Sequence, residues 1–194
     1  MKFHVIVPSS LLLLPILFRA AENEFPNWKI TPDVSAPRAI VVRNADGTTR
    51  PLWYVAFNVK NSTGAARKVV PFVNLTTETG KSYPAIYDID AMETIRAFEG
   101  KDTVDLFELT GELADGDSKR VAAVFERVDP LANDLTFHFQ GFGAPIVRKG
   151  KDYTAQQIDY VTKFHRFGNE HQPTSAPITL LSSDWVTVAT RKIR

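Results

Sequence analysis

Alternation of apolar and polar positions dominates the chain from Arg38 onward. Leu52–Val59 is the clearest case. Trp53, Val55, Phe57 and Val59 fall on one face of an extended chain, and Tyr54, Ala56 and Asn58 on the other. Ala39–Val42 is a short β-branched run, and Asn44–Gly47 has turn composition. Lys68–Thr76 alternates through Val69, Pro71, Val73 and Leu75, and the proline inside it predicts an edge or a bulge. A turn at Thr79-Gly80 predicts a hairpin with Ser82–Tyr87. Thr103–Leu109 reads as a strand. Arg120–Val128 and Leu135–Phe142 read as strands joined across Asp129-Pro130. In the second, Leu135, Phe137 and Phe139 face one way and Thr136, His138 and Gln140 the other, the pattern of a sheet with one wet face. Ile178–Leu181 and Trp185–Thr190 read as a last pair of short strands, whereas residues 144–177 are polar, spotted with aromatics and without an assignable period.

Helical spacing occurs once, over residues 89–99. Ile89, Met92, Ile95 and Ala97/Phe98 recur close to a 3.6-residue period, and Gly100 ends the run. Short strands separated by turns, with little helix and no βαβ alternation, predict an all-β fold. The expectation is an immunoglobulin-like antiparallel β-sandwich with one short helix and a C-terminal extension. Its core is predicted to hold Trp53, Val55, Phe57, Val124 or Phe125, Phe137 and Phe139. The division expected is an N-terminal segment 1–21, a Pro-rich tether 22–37, a sandwich 38–143, and an extension 144–194 packing on the sandwich. The tether carries Pro26, Pro32 and Pro37, which oppose both helix and sheet interior.

The N-terminus begins with Lys2, continues through the largely apolar run Val5–Phe18, and reaches Arg19, Ala20 and Ala21 before the polar Glu22. That order is how a secretory signal peptide reads. The position three residues before either cleavage point holds Phe18 or Arg19, neither of them small. An uncleaved monotopic anchor and a buried segment of a cytosolic fold are the other readings. A helix over Val5–Phe18 would span roughly 21 Å against a hydrocarbon core of roughly 30 Å, too short to cross.

Part of the chain resembles a known type of domain. The run Trp53-Tyr-Val-Ala-Phe-Asn-Val-Lys-Asn-Ser62 leads, after a strand, to Thr79-Gly-Lys-Ser-Tyr83. Leu113-Ala-Asp-Gly-Asp-Ser-Lys-Arg120, Val124-Phe125 and Leu135-Thr-Phe-His-Phe139 follow. This series is similar to bacterial extracytoplasmic immunoglobulin-like domains of unknown function, over residues 52–142. The resemblance implies a fold and an envelope location, not an activity. The chain departs from the pattern in lacking a lipidated cysteine and a long polar linker, and in adding residues 144–194.

Composition narrows the chemistry. The chain has 194 residues, 44% of them apolar, and no cysteine, which excludes disulfides, thiolate metal sites and a cysteine nucleophile. The formal net charge is +1; without residues 1–21 it is −1, because Lys2 and Arg19 are lost and no acidic residue is. Such a balance gives no case for nucleic acid. There is no G-x-S-x-G elbow, no H-E-x-x-H helix and no phosphate-binding glycine loop. His165, Glu170 and His171, with His138, form a weak candidate for a loop metal site, and no functional metal is expected. Asp88, Asp90, Glu93, Asp102, Asp105 and Glu108 make an acidic stretch without the spacing of a calcium loop, and Asp115-Gly-Asp117 reads first as a turn. Asn61-Ser-Thr and Asn74-Leu-Thr match the glycosylation pattern and read as turn and strand residues.

The remaining feature is a basic, aromatic-interleaved tract: Arg148, Lys149, Lys151, Tyr153, Tyr160, Phe164 and Arg166. It is the candidate surface for docking a partner. The expected function is that of a non-catalytic envelope protein, periplasmic or extracellular, binding another envelope or membrane protein or serving as an accessory subunit. An uncleaved N-terminus would add contact with a membrane surface through residues 1–18. No cofactor is expected. The alternative is a module binding a small ligand, a carbohydrate or a cell-wall polymer, with a hydrolase a third reading.

Overall fold

The structure is a computed structural model and describes residues 27–44, 46–144, 146–149, 152–167 and 177–193. The N-terminal segment 1–21, residues 22–26 of the tether, and Lys151, Glu170 and His171 lie outside the described residues.

In chain order the strands are β1 (Asp33–Val34), β2 (Arg38–Arg43), β3 (Thr49–Lys60), β4 (Arg67–Val69), β5 (Phe72–Thr77) and β6 (Ser82–Pro84). Helix α1 (Ile89–Glu99) precedes β7 (Val104–Asp105), β8 (Gly111–Leu113), β9 (Ser118–Glu126), β10 (Asp134–Gln140), β11 (Ile146–Lys149), β12 (Asp152–Arg166) and β13 (Ile178–Ile193). One sheet runs β1–β3–β9–β7, with β2 also on β3; the other runs β11–β12–β10–β5–β6, with β13 also on β12. The pairings are antiparallel apart from β7 with β9, where Val104 lies beside Val121. β4 and β8 pair separately.

The two sheets pack face to face, so the chain is an all-β sandwich with one short helix. Trp53, Val55, Phe57 and Val59 of β3 and Val121, Ala123 and Phe125 of β9 meet Val73 and Leu75 of β5, Leu135, Phe137 and Phe139 of β10, and Phe164 of β12. The sequence places Val124 or Phe125 in this core; it is Phe125. Val124 faces the other way, into a second core beneath α1, with Leu52, Tyr54, Ala56 and Ala122. Burial on both faces explains why Leu52–Phe57 is apolar almost throughout: β3 lies between the helix and the opposite sheet.

The helix ends where its caps dictate. The Asp88 side chain accepts from the Ala91 amide at 2.9 Å, and Gly100 closes the last turn at φ 110°. Ala91, Met92 and Ile95 are its buried stripe. Pro71 has a stronger effect than an edge or bulge. It separates β4 from β5, and the chain passes there from the β4–β8 pair into the second sheet.

Other expectations are corrected. Thr103–Leu109 is extended only at Val104–Asp105; the Asp105 carboxylate accepts from the Phe107 amide at 2.8 Å and turns the chain into a single 3-10 turn at Phe107–Leu109. The predicted pair of short strands near the C-terminus is one long strand, β13. Within the unassigned stretch 144–177 lie β11 and the 15-residue β12.

Candidate docking surface

β12 and β13 form a long hairpin, paired from Arg166↔Ile178 to Tyr153↔Ile193. The other side of β12 is shared by two strands in line. β10 covers Tyr160–His165, and β11 covers Asp152–Ala155. Half of this ribbon is anchored. Ile158, Tyr160 and Phe164 turn toward the sandwich, and Phe164 meets Phe137 edge to face at 5.9 Å. On β13 the anchor is Trp185. Its ring lies 5.4 Å from Tyr160, its indole N–H donates to Thr31 Oγ1 at 3.2 Å, and the Lys29 ammonium sits 5.3 Å from its centre.

The other half lies away from both cores. Of the side chains described in this half, those of Ile146, residues 153–157 and residues 188–191, none belongs to either core. β13 is also the outermost strand on its side of β12. It exposes Leu180, Leu181, Val186 and Val188 at 45–59%. Leu181 and Val188 are the extra residues of two bulges, opposite Lys163/Phe164 and Gln157/Ile158. Among the described residues no strand pairs with this edge, and a long edge with exposed apolar side chains is the kind to which a further strand can add.

The basic, aromatic tract read from sequence does not form one surface. Tyr160 is half-buried between Phe139 and Trp185. Phe164 is 2% exposed in the core, and Arg166 is 4% exposed, its guanidinium 5.8 Å from the Trp53 ring and donating to the Pro130 carbonyl. Neither can touch a partner, which corrects the expectation. The reason is strand alternation: 158, 160, 162, 164 and 166 share the inward face of β12. What remains is the far end, where Arg148 stands beside Tyr153 and Lys149 beside Asp152. Sequence reasoning missed Arg191 and Lys192. The antiparallel return of β13 brings them level with Ala155 and Thr154, on the same end of the ribbon. Reading 152–193 as one hairpin would have found them.

A second arrangement crosses the outward face of the second sheet. Thr76 Oγ1 lies 3.4 Å from His138 Nε2, and His138 Nδ1 lies 3.8 Å from Asp159 Oδ2, which accepts from Gln140 Nε2 at 3.0 Å. The order hydroxyl, imidazole, carboxylate resembles a nucleophile relay. At 3.8 Å the imidazole and carboxylate are not hydrogen-bonded, and the carboxylate is engaged by an amide instead. The row is a polar seam between strands.

His165 Nδ1 lies 2.6 Å from Asp134 Oδ1. Among the described residues no group of three or more His, Asp or Glu side chains could hold a metal. The acidic residues serve the fold: Asp88 caps α1 and pairs with Arg50, while Asp115 and Asp117 accept from the Gly64 and Ala114 amides in their turn. Asn61 is fully buried, its amide donating to the Ala65 and Leu113 carbonyls at 2.8 Å, so no glycan can reach it. Among the described residues no helix is long and apolar enough to cross a membrane. No family model matches the chain, and neither does any curated protein or any solved structure.

Proposed function

We propose that the protein is a non-catalytic docking protein of the cell envelope, an accessory subunit that receives an extended segment of another envelope protein along β13. The observation that carries this reading is the outer edge of β13, with which no strand among the described residues pairs. Its 16 residues form the side of the sheet away from β12, and four of its aliphatic side chains are about half exposed. Strand addition draws affinity from main-chain hydrogen bonds and specificity from alternate side chains. The exposed aliphatic side chains along this edge support that mode. Asp88, Asp105, Asp115 and Asp117 are engaged in a cap and turns, and His138 in a strand seam, which supports a binding role over a hydrolytic one.

The test is native purification from membranes of the wild-type chain beside a Leu180→Lys/Val186→Lys variant. Both positions are exposed, so the variant should melt with the wild type. A stoichiometric partner retained by the wild type and lost from the variant supports the reading. A wild-type chain that emerges alone, or a partner indifferent to both lysines, overturns it. The alternative of a ligand-binding module has one observation in its favour, the exposed Tyr87 and Phe107 rings packed edge to face at 6.4 Å.

A further inference from the structure

The end of the ribbon farthest from the core has a charge pattern of its own. Its rungs, read across β11, β12 and β13, are Lys149–Asp152, Arg148–Tyr153–Ile193, Val147–Thr154–Lys192 and Ile146–Ala155–Arg191. Four cations and one anion therefore stand on four successive rungs, a span of about 10–13 Å; alternation puts positions 148 and 191 on one face of the ribbon and 149 and 192 on the other, so the four share its end rather than a face. The whole chain carries 23 basic and 22 acidic residues, so this end departs sharply from the average. Tyr153 and Ile193 stand level with Arg148, which puts an aromatic and an aliphatic position among the cations.

The path of the chain adds a second observation. Lys29 bridges Gly143 in the antiparallel sense, and the Ala144 amide donates to the Trp28 carbonyl at 3.1 Å. Followed back from Ile30 to Asn27, the chain therefore heads the way β11 heads, toward the basic rungs. Twenty-six residues precede Asn27, and they include the apolar run Val5–Phe18. The stretch between Phe18 and Asn27 can reach up to about 30 Å, more than twice the length of β11. An apolar segment and a basic cluster can thus meet one surface from the same end of the molecule.

We propose that the basic end of the β11–β12–β13 ribbon lies against the anionic headgroups of a lipid bilayer. Basic clusters of this size beside an apolar anchor form the two-signal arrangement that holds a protein on a membrane, because each contribution alone is weak. The proposal rests on the envelope reading but not on the β13 edge, whose partner is scored separately in the purification above.

The experiment is vesicle co-sedimentation of the full chain, at low and at high salt. One set of vesicles is phosphatidylcholine alone; in the other a third of the lipid is phosphatidylglycerol. Comparing the two sets cancels the contribution of the apolar run, which does not depend on headgroup charge. The wild type should prefer the anionic vesicles by about 100-fold at low salt, and the preference should shrink at high salt. Arg148→Gln/Lys149→Gln/Arg191→Gln/Lys192→Gln should reduce it to about threefold or less. Lys68→Gln/Lys119→Gln, two exposed lysines on β4 and β9, should leave it intact. Thermal melting followed by circular dichroism checks that all variants are folded; if the fourfold variant is not, the pairs Arg148→Gln/Lys149→Gln and Arg191→Gln/Lys192→Gln are scored instead. Absence of an anionic preference in the wild type overturns the proposal. So does a preference unchanged by the substitutions, or lost equally with Lys68→Gln/Lys119→Gln. A basic end that ignores both vesicle types and binds an acidic protein instead also overturns it.

Discussion

The backbone of Gly141 packs directly on the carbonyl of Val70: a Cβ placed on Gly141 would overlap that carbonyl group and crowd the Pro71 Cα. The contact follows the last rung between β5 and β10, where Phe72 lies opposite Gln140. Gly141 also has φ 81°, the left-handed region that disfavours any side chain. Gly141→Ala should therefore cost about 3 kcal/mol or more in urea unfolding, from strain and overlap together. Gly116→Ala makes the comparison, since φ is 87° there but the space is open; its cost should stay near 1 kcal/mol. Equal losses at the two sites would mean that the close approach to Val70 is immaterial.

Phe57 is fully buried, edge to face with Phe139 at 5.1 Å and Phe142 at 5.9 Å. It ties β3 of one sheet to β10 of the other and to the loop beyond. Phe57→Ala should destabilise by about 3–5 kcal/mol, because a ring-sized cavity between two sheets collapses poorly. A loss under about 1 kcal/mol would mean that this face of β3 is not packed as described.

Glu99 gives the fold a pH dependence at both ends of the scale. Its carboxylate accepts from Arg120 at 2.6 Å and from the Tyr54 hydroxyl at 2.8 Å. Burial alone would raise the carboxyl, but the Arg120 and Tyr54 hydrogen bonds and the charges of Arg120 and Arg38 outweigh it and hold it below its ordinary value. The resulting stabilisation is complete above the unfolded-state value and is lost as pH falls through the folded one. The Tyr54 phenol is pushed up to about 12 by burial and by its bond to Glu99. Stability should accordingly also fall as pH rises from about 10 toward about 12, where the unfolded phenol ionises first. Glu99→Ala should cost about 3 kcal/mol at neutral pH, with a smaller difference from wild type in acid. A difference independent of pH would exclude the carboxylate as the source.

Asp105 behaves in the opposite sense. It is completely buried, with Oδ1 held by the Phe107 amide and Oδ2 without a hydrogen bond among the described residues. Burial raises its carboxyl above the ordinary value. The folded state then favours the protonated form, so stability is lost as pH rises from the unfolded value through the folded one. Asp105→Asn keeps the acceptor for Phe107 and removes the charge. It should stabilise the protein at neutral pH, and the gain should vanish in acid below the ordinary aspartate range. Urea titrations across pH read this directly; a variant less stable than wild type at neutral pH would refute it.

Neighbouring positions on β13 should respond in opposite ways. Trp185 is clamped by Tyr160, Thr31 and Lys29, and Trp185→Ala should cost about 2–3 kcal/mol and loosen the chain around Thr31 from the hairpin. Val186→Lys, at a position 45% exposed, should change stability by less than about 0.5 kcal/mol. Hydrogen exchange at residues 29–34 separates the two effects.

Most of the sandwich was legible because its strands have one inward face filled with aromatics and branched aliphatics. Leu52–Val59 and Leu135–Phe139 announce themselves by period two, and α1 by Asp88, its apolar stripe and Gly100. β12 was not legible for a specific reason. Its inward row is Ile158, Tyr160, Thr162, Phe164 and Arg166, so a hydroxyl and a guanidinium interrupt the apolar set, while the outward row includes the buried Asp159. β13 had no period to read, since most of its side chains are exposed on both faces. The candidate docking surface was the least legible. Spacing along one strand grouped Arg148 with Phe164 and Arg166, but the groups that belong with Arg148 come from the returning strand, about 40 residues away, through antiparallel register.

The bulges at Leu181 and Val188 act as phase changes along the β13 edge. A regular strand laid against it keeps step only over Ser182–Thr187, six residues or about 20 Å, before its donors and acceptors fall out of alignment. Copies of the same sheet stacking edge on edge lose step at each bulge, so fibre-like growth is frustrated. A short peptide of about that length would meet no such interruption, so under the proposed docking role the edge would act as a ruler that sorts partners by their extent.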